Sequence, residues 1–231
     1  MTSAYFVTAQ LNDRFPLSRL PADLLARSES MNHPARRQQW LAGRALLAQA
    51  MWAFKGCEML PAMQISATGK PSFVDPSLPH FSLSHSKNCL QLVLCDAGQT
   101  GCDVEQMRPR PRYLAIAQAA FSAGEFRWMV EQTDPQTAFW QLWCLREAWL
   151  KQQGASVWQM DRLRLDPAAR RFTSQPATGS RLWCASRGTV MSAVAVPQGA
   201  GAPEEYRFEP ASGMLISQRQ RVWTSFDAGS R

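Results

Sequence analysis

Residues 80–106 have the sequence HFSLSHSKNCLQLVLCDAGQTGCDVEQ, in which three short apolar runs alternate with turn-forming residues. Lys87 and Asn88 separate the first two runs, and Asp96, Ala97 and Gly98 separate the second from the third. Such clusters between apolar runs are typical of turns that join antiparallel strands. The segment therefore predicts a three-stranded meander that ends on GCDVE, residues 101–105.

Helical patterns lie on both sides of this meander. Residues 34–54 place apolar side chains at helical spacing, with Asn32 as a candidate N-cap and Gly56 as the stop. After the proline-broken stretch RPRPR, residues 112–120 and 122–132 have helical patterns as well. Each of these segments is therefore predicted to be a helix.

The clearest helix covers residues 135–153. Asp134 can cap it, Pro135 suits its first position, and Gly154 follows its end. Later segments have the composition of strands, namely RLRLDPAARRFT (162–173), RLWCASR (181–187), TVMSAVAV (189–196) and EEYRFEP (204–210). The order of elements predicts an α+β chain with two comparable parts joined near residues 97–101.

Charge and composition limit the class of protein. The chain of 231 residues has 25 Lys and Arg against 18 Asp and Glu, a net charge of +7 that favours an acidic partner such as a phosphorylated ligand, nucleic acid or an acidic protein. Its six cysteines show no C-x-x-C spacing, so we expect no disulfide framework and a reducing, cytoplasmic location. We find no secretory signal, no 18-residue apolar run and no zinc, dinucleotide or nucleic-acid motif, and expect neither membrane nor nucleic acid as partner.

The acidic pair Asp103 and Glu105 is the first candidate site. On a strand, side chains two residues apart share a face, so both carboxylates project to one side while Cys102 and Val104 pack on the other. One interpretation is an exposed edge of a half-buried strand. The alternative is a Mg²⁺ site, because Mg²⁺ prefers carboxylate oxygens together with water and substrate phosphates.

A second candidate lies in the long predicted helix, in the stretch WCLREAWLK. Glu147 precedes Lys151 by four residues, which is the favourable order for a surface ion pair of about 0.3–0.5 kcal/mol. Trp143 and Trp140 continue the same row toward the start of the helix. The row is therefore compatible either with a solvated face or with the lining of a cleft.

Several further residues have both a structural and a functional interpretation. Ser122 and Glu125 match the S-x-x-E capping box, which is the favoured interpretation of FSAGE. Ser84 and His85 adjoin on a predicted strand and point in opposite directions, which argues against a hydrolase dyad and favours hydrogen bonds to a phosphate or ribose.

Basic residues near the first helix also have two interpretations. Lys70 lies in TGKPSF, which is no P-loop, and alone is a solvated loop charge. Arg44 lies beside the apolar stripe of the predicted helix, a position that is unusual for a solvated charge. Arg36 and Arg37 occupy the first helical turn, where a cation is unfavourable unless an anion lies nearby.

Taken in order, the GR before an apolar helix, GKP, SLSHS, GCDVE, FSAGE and WCLREAWLK form a series across residues 36–154. This series resembles the 4′-phosphopantetheinyl transferases of the larger, surfactin-synthetase-activating (Sfp-like) group, and among them the AcpT-like bacterial members. Such enzymes move the phosphopantetheine arm of coenzyme A to a serine of an acyl, peptidyl or aryl carrier protein. They release adenosine 3′,5′-bisphosphate.

The resemblance implies a pseudodimer of two similar α/β halves, residues 1–98 and 99–200, with the active site in the cleft between them. Residues 201–231 have no family counterpart and are expected to form a solvated tail. A monomer is expected, since the cleft then lies within one chain. Acidic apo carrier proteins and coenzyme A are the expected partners.

The resemblance also assigns roles residue by residue. It implies Mg²⁺ ligands at Asp103, Glu105 and Glu147, a charge on the pyrophosphate or leaving group at Lys151, and a general base at Glu147 or Glu125. It implies coenzyme A contacts at Arg44, Lys70, Ser84, His85 and Lys151, with Arg36 and Arg37 in looser register.

Two departures from the family pattern stand out. Arg146 occupies the usual position of a lysine, and a guanidinium differs from an ammonium in shape. Cys102 replaces an aliphatic residue. Two rival hypotheses are a non-catalytic carrier-protein or nucleotide-binding module of the same fold, and a basic nucleic-acid-binding protein.

Overall fold

The computed structural model describes residues 4–219 and 221–229. The helices of this part of the chain are α1 (Ala22–Glu29), α2 (Pro34–Lys55), α3 (Tyr113–Ala120), α4 (Ala123–Val130) and α5 (Pro135–Gln153), with a 3-10 helix at Val157–Arg162. The strands are β1 (Ala4–Gln10), β2 (Met63–Ile65), β3 (Pro71–Phe73), β4 (His80–Ser86), β5 (Cys89–Cys95), β6 (Gly101–Gln106), β7 (Leu163–Asp166), β8 (Arg171–Ser174), β9 (Ser180–Arg187), β10 (Val190–Pro197), β11 (Glu204–Glu209), β12 (Met214–Gln218) and β13 (Thr224–Ala228). The mixture confirms the predicted α+β class.

The two longest helices begin and end at residues whose chemistry sets those limits. In α5, the Asp134 carboxylate accepts hydrogen bonds from the first free backbone N–H groups, and Gly154 leaves the helix with φ 63°. In α2, Gly56 ends the helix with φ 70°. The predicted cap at Asn32 is wrong by one residue, because the His33 ring accepts the hydrogen bond from the N–H of Arg36.

Two large sheets form the framework. Their strand orders are β12-β11-β1-β5-β4 and β6-β10-β9-β13-β8-β7, and β2 and β3 form a separate pair. The predicted meander is wrong in its third strand, since β4 and β5 pair antiparallel but β6 joins the second sheet beside β10. The reason is that β1, which we did not predict, already occupies the other edge of β5.

The two sheets share an order of elements. In the first sheet β1 is followed by α2 and then by the hairpin β4-β5, and β1 pairs antiparallel with β5. In the second sheet β6 is followed by α5 and then by the hairpin β9-β10, and β6 pairs antiparallel with β10. Each sheet therefore has one long helix between its first strand and its hairpin.

Alternation along the strands places the core in three layers. Val7 of β1 packs with α2 on the outer face of the first sheet, and Ala193 of β10 packs with α5 on the outer face of the second. The neighbouring residues Phe6 and Val194 point the other way, into a core between the two sheets. The sheets therefore pack against each other through apolar side chains.

Residues after 200 contribute strands to both sheets. β11 pairs parallel with β1, while β13 lies between β9 and β8. Phe208 and Phe226 of these strands are 1% exposed. The prediction of a solvated tail over 201–231 is therefore wrong for 201–219 and 221–229; residues 220, 230 and 231 lie outside the described part of the chain.

Within residues 4–219 and 221–229, none of the helices combines the length and the apolar character needed to span a bilayer.

Candidate active site

Strand β6 lies against the backbone of α5 because its first residue is glycine. A Cβ atom on Gly101 would lie 2.0 Å from the carbonyl oxygen of Ala148 and 2.4 Å from the amide nitrogen of Gln152. Only glycine permits so close an approach without moving the helix. This contact brings the acidic residues of β6 to the last turns of α5.

Asp103 is the buried centre of the site, with 4% of its surface exposed. Its Oδ1 atom lies 2.7 Å from Lys151 Nζ and accepts a hydrogen bond from Ser84 Oγ at 3.0 Å. Its Oδ2 atom is also buried and has no hydrogen-bond partner. The alternative of an exposed strand edge is therefore wrong for Asp103.

Glu105 and Glu147 are half-buried carboxylates beside Asp103. Ser86 Oγ donates a hydrogen bond to Glu105 Oε2 at 2.7 Å, but burial outweighs that bond and raises the pKa of Glu105. Burial also raises the pKa of Glu147, and the charges of Asp103 and Glu105 raise it further. The charge of Asp103 contributes to both shifts, so the three carboxylates lie near one another, and such a cluster favours a bound cation.

Lys151 supplies a positive charge at this site. Burial lowers the pKa of its ammonium, but the Asp103 carboxylate outweighs burial and raises that pKa. A third of the side chain remains exposed. Among the ion pairs of the described residues Lys151 pairs with Asp103, and none joins it to Glu147, so the alternative of a Glu147–Lys151 surface pair is wrong.

Ser84 and His85 point to opposite sides of β4, as predicted. Ser84 is buried and bridges Lys151 Nζ and Asp103 Oδ1. His85 is the more exposed of the two residues. Partial burial of its ring lowers its pKa most, and the charge of Lys151 lowers it further. The charges of Lys151 and Asp103 both act on the ring, so His85 lies near the acidic site.

Glu125 lies apart from these carboxylates. It is fully buried in the first turn of α4, where it forms the predicted capping box with Ser122. The backbone N–H groups of Ser122 and Leu165 donate to Glu125 Oε2 and Oε1, both at 2.6 Å, and the buried Arg146 pairs with Oε1. Both carboxylate oxygens are thus occupied, and among the ion pairs of the described residues Arg146 pairs with Glu125.

Lys70 connects the segment between β2 and β3 to the joint of the two sheets. Its Nζ atom donates to Gln99 Oε1 at 2.7 Å, to the carbonyl oxygen of Thr100 at 3.0 Å and to that of Gln152 at 2.8 Å. Burial lowers the pKa of Lys70 to about 8. Lys70 therefore holds the C-terminal end of α5 beside the chain that enters β6.

The arginines of α2 lie in two further places. Arg44 lines a cavity of about 300 Å³ and lies over the Trp40 ring, as does Arg27 at a longer distance. Burial lowers the pKa of Arg44, and its buried Nε atom has no hydrogen-bond partner. Arg36 is exposed, Arg37 lines a separate cavity, and no contact of the described residues joins either to Asp103.

No group of three or more His, Cys, Asp or Glu side chains in the described residues is already arranged to hold a metal ion. Asp103, Glu105 and Glu147 nevertheless offer hard carboxylate oxygens, which are the kind of ligand that Mg²⁺ prefers. The free, buried Oδ2 atom of Asp103 is one acceptor that a cation would satisfy. Lys151 supplies the counter-charge in this structure.

Two serines of β4 that were not predicted as site residues, Ser82 and Ser86, also face β6. Ser82 Oγ accepts a hydrogen bond from the N–H of Cys102, and Ser86 Oγ accepts one from the N–H of Gln106. The signal was present, since serines at 82, 84 and 86 alternate with the same period of two as Asp103 and Glu105.

Comparisons with known proteins match the part of the chain that carries these residues. The sequence model of the 4′-phosphopantetheinyl transferase superfamily matches residues 99–194. The 4′-phosphopantetheinyl transferase AcpT of Salmonella typhimurium is 40% identical over 143 residues, which is 61% of this chain and 70% of that protein.

Two Escherichia coli proteins are similar as well. The 4′-phosphopantetheinyl transferase AcpT of that organism is 41% identical over 128 residues, or 54% of this chain and 62% of that protein. The uncharacterized protein YieE is 33% identical over 183 residues, or 77% of this chain and 73% of that protein. Because the Salmonella AcpT protein is 40% identical and is matched over 70% of its length, the chain belongs to the 4′-phosphopantetheinyl transferase superfamily.

Proposed function

We propose that this chain transfers the 4′-phosphopantetheine group of coenzyme A to a serine of an apo carrier protein. The serine oxygen forms a bond to the phosphorus that carries pantetheine, and the bond from that phosphorus to the bridging pyrophosphate oxygen breaks. Adenosine 3′,5′-bisphosphate leaves. The observation that carries the proposal is the convergence of Asp103, Glu105, Glu147 and Lys151 where β6 meets α5.

Asp103, Glu105 and Glu147 are the proposed Mg²⁺ ligands. Their hard oxygens, the pKa values of Glu105 and Glu147 that burial and the Asp103 charge raise, and the unpartnered Asp103 Oδ2 support this assignment. When bound, Mg²⁺ supplies neutralisation of the phosphate charge.

Glu147 is the proposed general base that takes the proton of the carrier serine. It is half-buried with a raised pKa, which brings its basicity nearer to neutral pH, where a base is most effective. Glu125 is less suited to this role, because both of its carboxylate oxygens already accept hydrogen bonds in the interior. The contacts therefore favour Glu147 over Glu125.

Lys151 is proposed to offer its charge to the pyrophosphate and the leaving phosphate. Its ammonium is a third exposed and lies between Asp103 and the surface, so a polyanion can approach it. Arg146, at the usual lysine position of the family, is 1% exposed and pairs with Glu125. We therefore assign Arg146 no contact with the leaving group.

Coenzyme A is the proposed co-substrate, bound on the side of β4 and α2. Ser84 and the exposed His85 lie beside Lys151, which supports contacts to the diphosphate. The unpartnered Nε atom of Arg44 supports an anionic contact in its cavity. Lys70 would exchange some of its three internal acceptors for phosphate oxygens, while Arg36 and Arg37 remain peripheral proposals.

The fold proposal is a pseudodimer with halves near 1–98 and 99–200 and the cleft between β4 and β6. The shared order of strand, long helix and hairpin in the two sheets supports it. Residues after 200 then add strands to both halves instead of forming a tail. The chain works as a cytoplasmic monomer in this proposal.

Acidic carrier proteins are the proposed acceptors, because the chain has a net charge of +7. Attraction between opposite charges mainly raises the rate of encounter and weakens with salt. Raising the salt concentration should therefore lower the apparent affinity for the carrier. An affinity that is constant from low to high salt would contradict this part of the proposal.

Intact-mass spectrometry tests the activity. The chain is incubated with coenzyme A, Mg²⁺ and a panel of apo acyl, peptidyl and aryl carrier proteins, and each carrier is weighed. We expect a phosphopantetheine adduct on at least one carrier, none on the same carrier with its acceptor serine changed to alanine, and none with the Asp103→Ala enzyme. Absence of an adduct on every carrier would favour the non-catalytic binding module.

A further inference from the structure

The edges of the two sheets meet along β4 and β6 through serine side chains. Both strands are edge strands, each in its own sheet. Ser82, Ser84 and Ser86 are two residues apart, so their hydroxyls share the face of β4 that looks toward β6. We name these three residues the serine row.

Each hydroxyl of the serine row accepts a hydrogen bond from an alternate N–H of β6. Ser82 Oγ lies 3.1 Å from the N–H nitrogen of Cys102, and Ser84 Oγ lies 3.3 Å from that of Val104. Ser86 Oγ lies 3.2 Å from the nitrogen of Gln106. The row satisfies the free backbone donors of an edge strand, which a neighbouring strand would otherwise do.

Two of the three hydroxyls also donate to a carboxylate. Ser84 donates to Asp103, and Ser86 donates to Glu105. Each carboxylate belongs to the residue just before the one whose backbone N–H the same serine accepts. The equivalent position for Ser82 is Gly101, which has no side chain. Ser84 and Ser86 therefore each contact a carboxylate, whereas Ser82 contacts none and can serve as a control.

We propose that Ser86 is a positioning residue that fixes the Glu105 carboxylate for metal binding, as Ser84 does for Asp103. The inference rests on the proposed function. A hydrogen bond to one carboxylate oxygen restricts the rotation of the side chain and leaves the other oxygen for a cation. Loss of such an outer-shell partner typically weakens metal affinity about 10- to 100-fold.

The placement gives the proposal a second consequence. The serines belong to the first sheet and the carboxylates to the second, so the ligand geometry depends on contact between the two sheets. A shift of β4 relative to β6 that breaks the hydrogen bonds of Ser84 and Ser86 to the carboxylates should therefore weaken metal binding.

The test compares full-length Ser86→Ala, Ser86→Thr and Ser82→Ala with the unaltered chain. Mn²⁺, as the probe, is titrated into each protein with coenzyme A present, and free Mn²⁺ is followed by electron paramagnetic resonance. We expect Ser86→Ala to bind Mn²⁺ about tenfold or more weakly. Ser86→Thr keeps the hydroxyl and should retain affinity, and Ser82→Ala should as well, since Ser82 contacts no carboxylate.

Three outcomes would overturn the inference. Unchanged Mn²⁺ affinity in Ser86→Ala would remove the positioning role. Equal weakening in Ser86→Ala and Ser82→Ala, with matching losses in unfolding midpoint, would make the serine row purely structural. Absence of Mn²⁺ binding in the unaltered chain would refute the proposed metal ligands themselves, while phosphopantetheine transfer measured by mass would still test the activity separately.

Discussion

Glu147 lies on α5 one turn before Lys151, where burial and the Asp103 carboxylate raise its pKa. As a general base it must be deprotonated, so activity should fall at acidic pH, where its carboxylate takes up a proton. Glu147→Gln should lower kcat about 10²- to 10⁴-fold, and the residual rate should lose the acidic limb of the pH profile. Steady-state rates measured across pH with a carrier protein test this.

The free energy of unfolding should change with pH in the opposite direction to activity, decreasing as the pH rises. A carboxylic acid with a raised pKa in the folded chain binds its proton more tightly there, so ionisation of Glu147 opposes folding. The metal-free chain should lose stability as the pH rises from the ordinary range of glutamate through the raised pKa. Urea unfolding should find Glu147→Gln more stable above that window, and a less stable variant would contradict the assignment.

The sequence predicted part of the site at this scale. The i, i+2 spacing of Asp103 and Glu105 predicted a shared face because strand geometry fixes that face locally. Their partners could not be predicted, because Ser84, Ser86 and Lys151 come from distant parts of the chain. The burial of Asp103 likewise depends on contact between sheets, which no local pattern encodes.

Among the elements, β6 and α5 depend on the absence of a side chain at residue 101. Gly101→Ala would place its Cβ atom 2.0 Å and 2.4 Å from backbone atoms of α5, which cannot give way as a flexible side chain can. We expect a loss of at least about 1–3 kcal/mol in the free energy of unfolding, as for overpacked cores. Chemical denaturation measures this loss.

Gly124→Ala is the matched control for that substitution. Gly124 lies in α4 with no atom within 4 Å of an added Cβ, so alanine should stabilise the helix by about 0.5–1 kcal/mol. Equal effects of the two substitutions would show that the close approach at Gly101 is unimportant.

The Glu125–Arg146 ion pair joins α4 to α5 in the interior. Arg146→Met should destabilise the chain by about 3–5 kcal/mol, because it leaves a buried carboxylate without its counter-charge. The double variant Glu125→Gln with Arg146→Met should recover part of the loss, since no unpaired charge then remains. A stable Arg146→Met enzyme with an increased KM for coenzyme A would instead indicate a role in substrate binding.

Elements with strong local signals were predicted well. The ends of α5 follow from Asp134, Pro135 and Gly154, whose effects act within one turn. The sheet that β6 joins was not predictable in this way, because β1 competes for the same edge of β5 from some 80 positions away along the chain. The short strands β2 and β3 gave no comparable local signal.

On the scale of the whole molecule, β13 joins the β7-β8 hairpin to the rest of the second sheet. Phe226→Ala should lower the free energy of unfolding by about 3–5 kcal/mol, because its ring is 1% exposed in the core beneath α5. Val222→Ala, at a side chain that is 91% exposed, should change it by less than about 0.5 kcal/mol. A Phe226→Ala variant as stable as Val222→Ala would contradict a structural role for β13.

The fold class could be predicted from the order of helices and strands, and the assignment of residues after 200 could not. Strands β11 to β13 are short, and their stability comes from partners on β1, β8 and β9. The buried Arg221–Glu205 ion pair joins the segment before β13 to β11, a contact that no local pattern predicts. The local sequence pattern therefore did not predict that this segment contributes strands to both sheets.

The position of β13 between β9 and β8 has a consequence for biosynthesis. A ribosome completes β7 to β10 before it adds residues 224–228, and until then β8 lacks the neighbour that links the β7-β8 hairpin to β9. A nascent chain that stalls before β13 therefore presents two open strand edges to chaperones and proteases. Residues 224–228 therefore join the β7-β8 hairpin to β9, and a chain without them should expose the facing edges of β8 and β9.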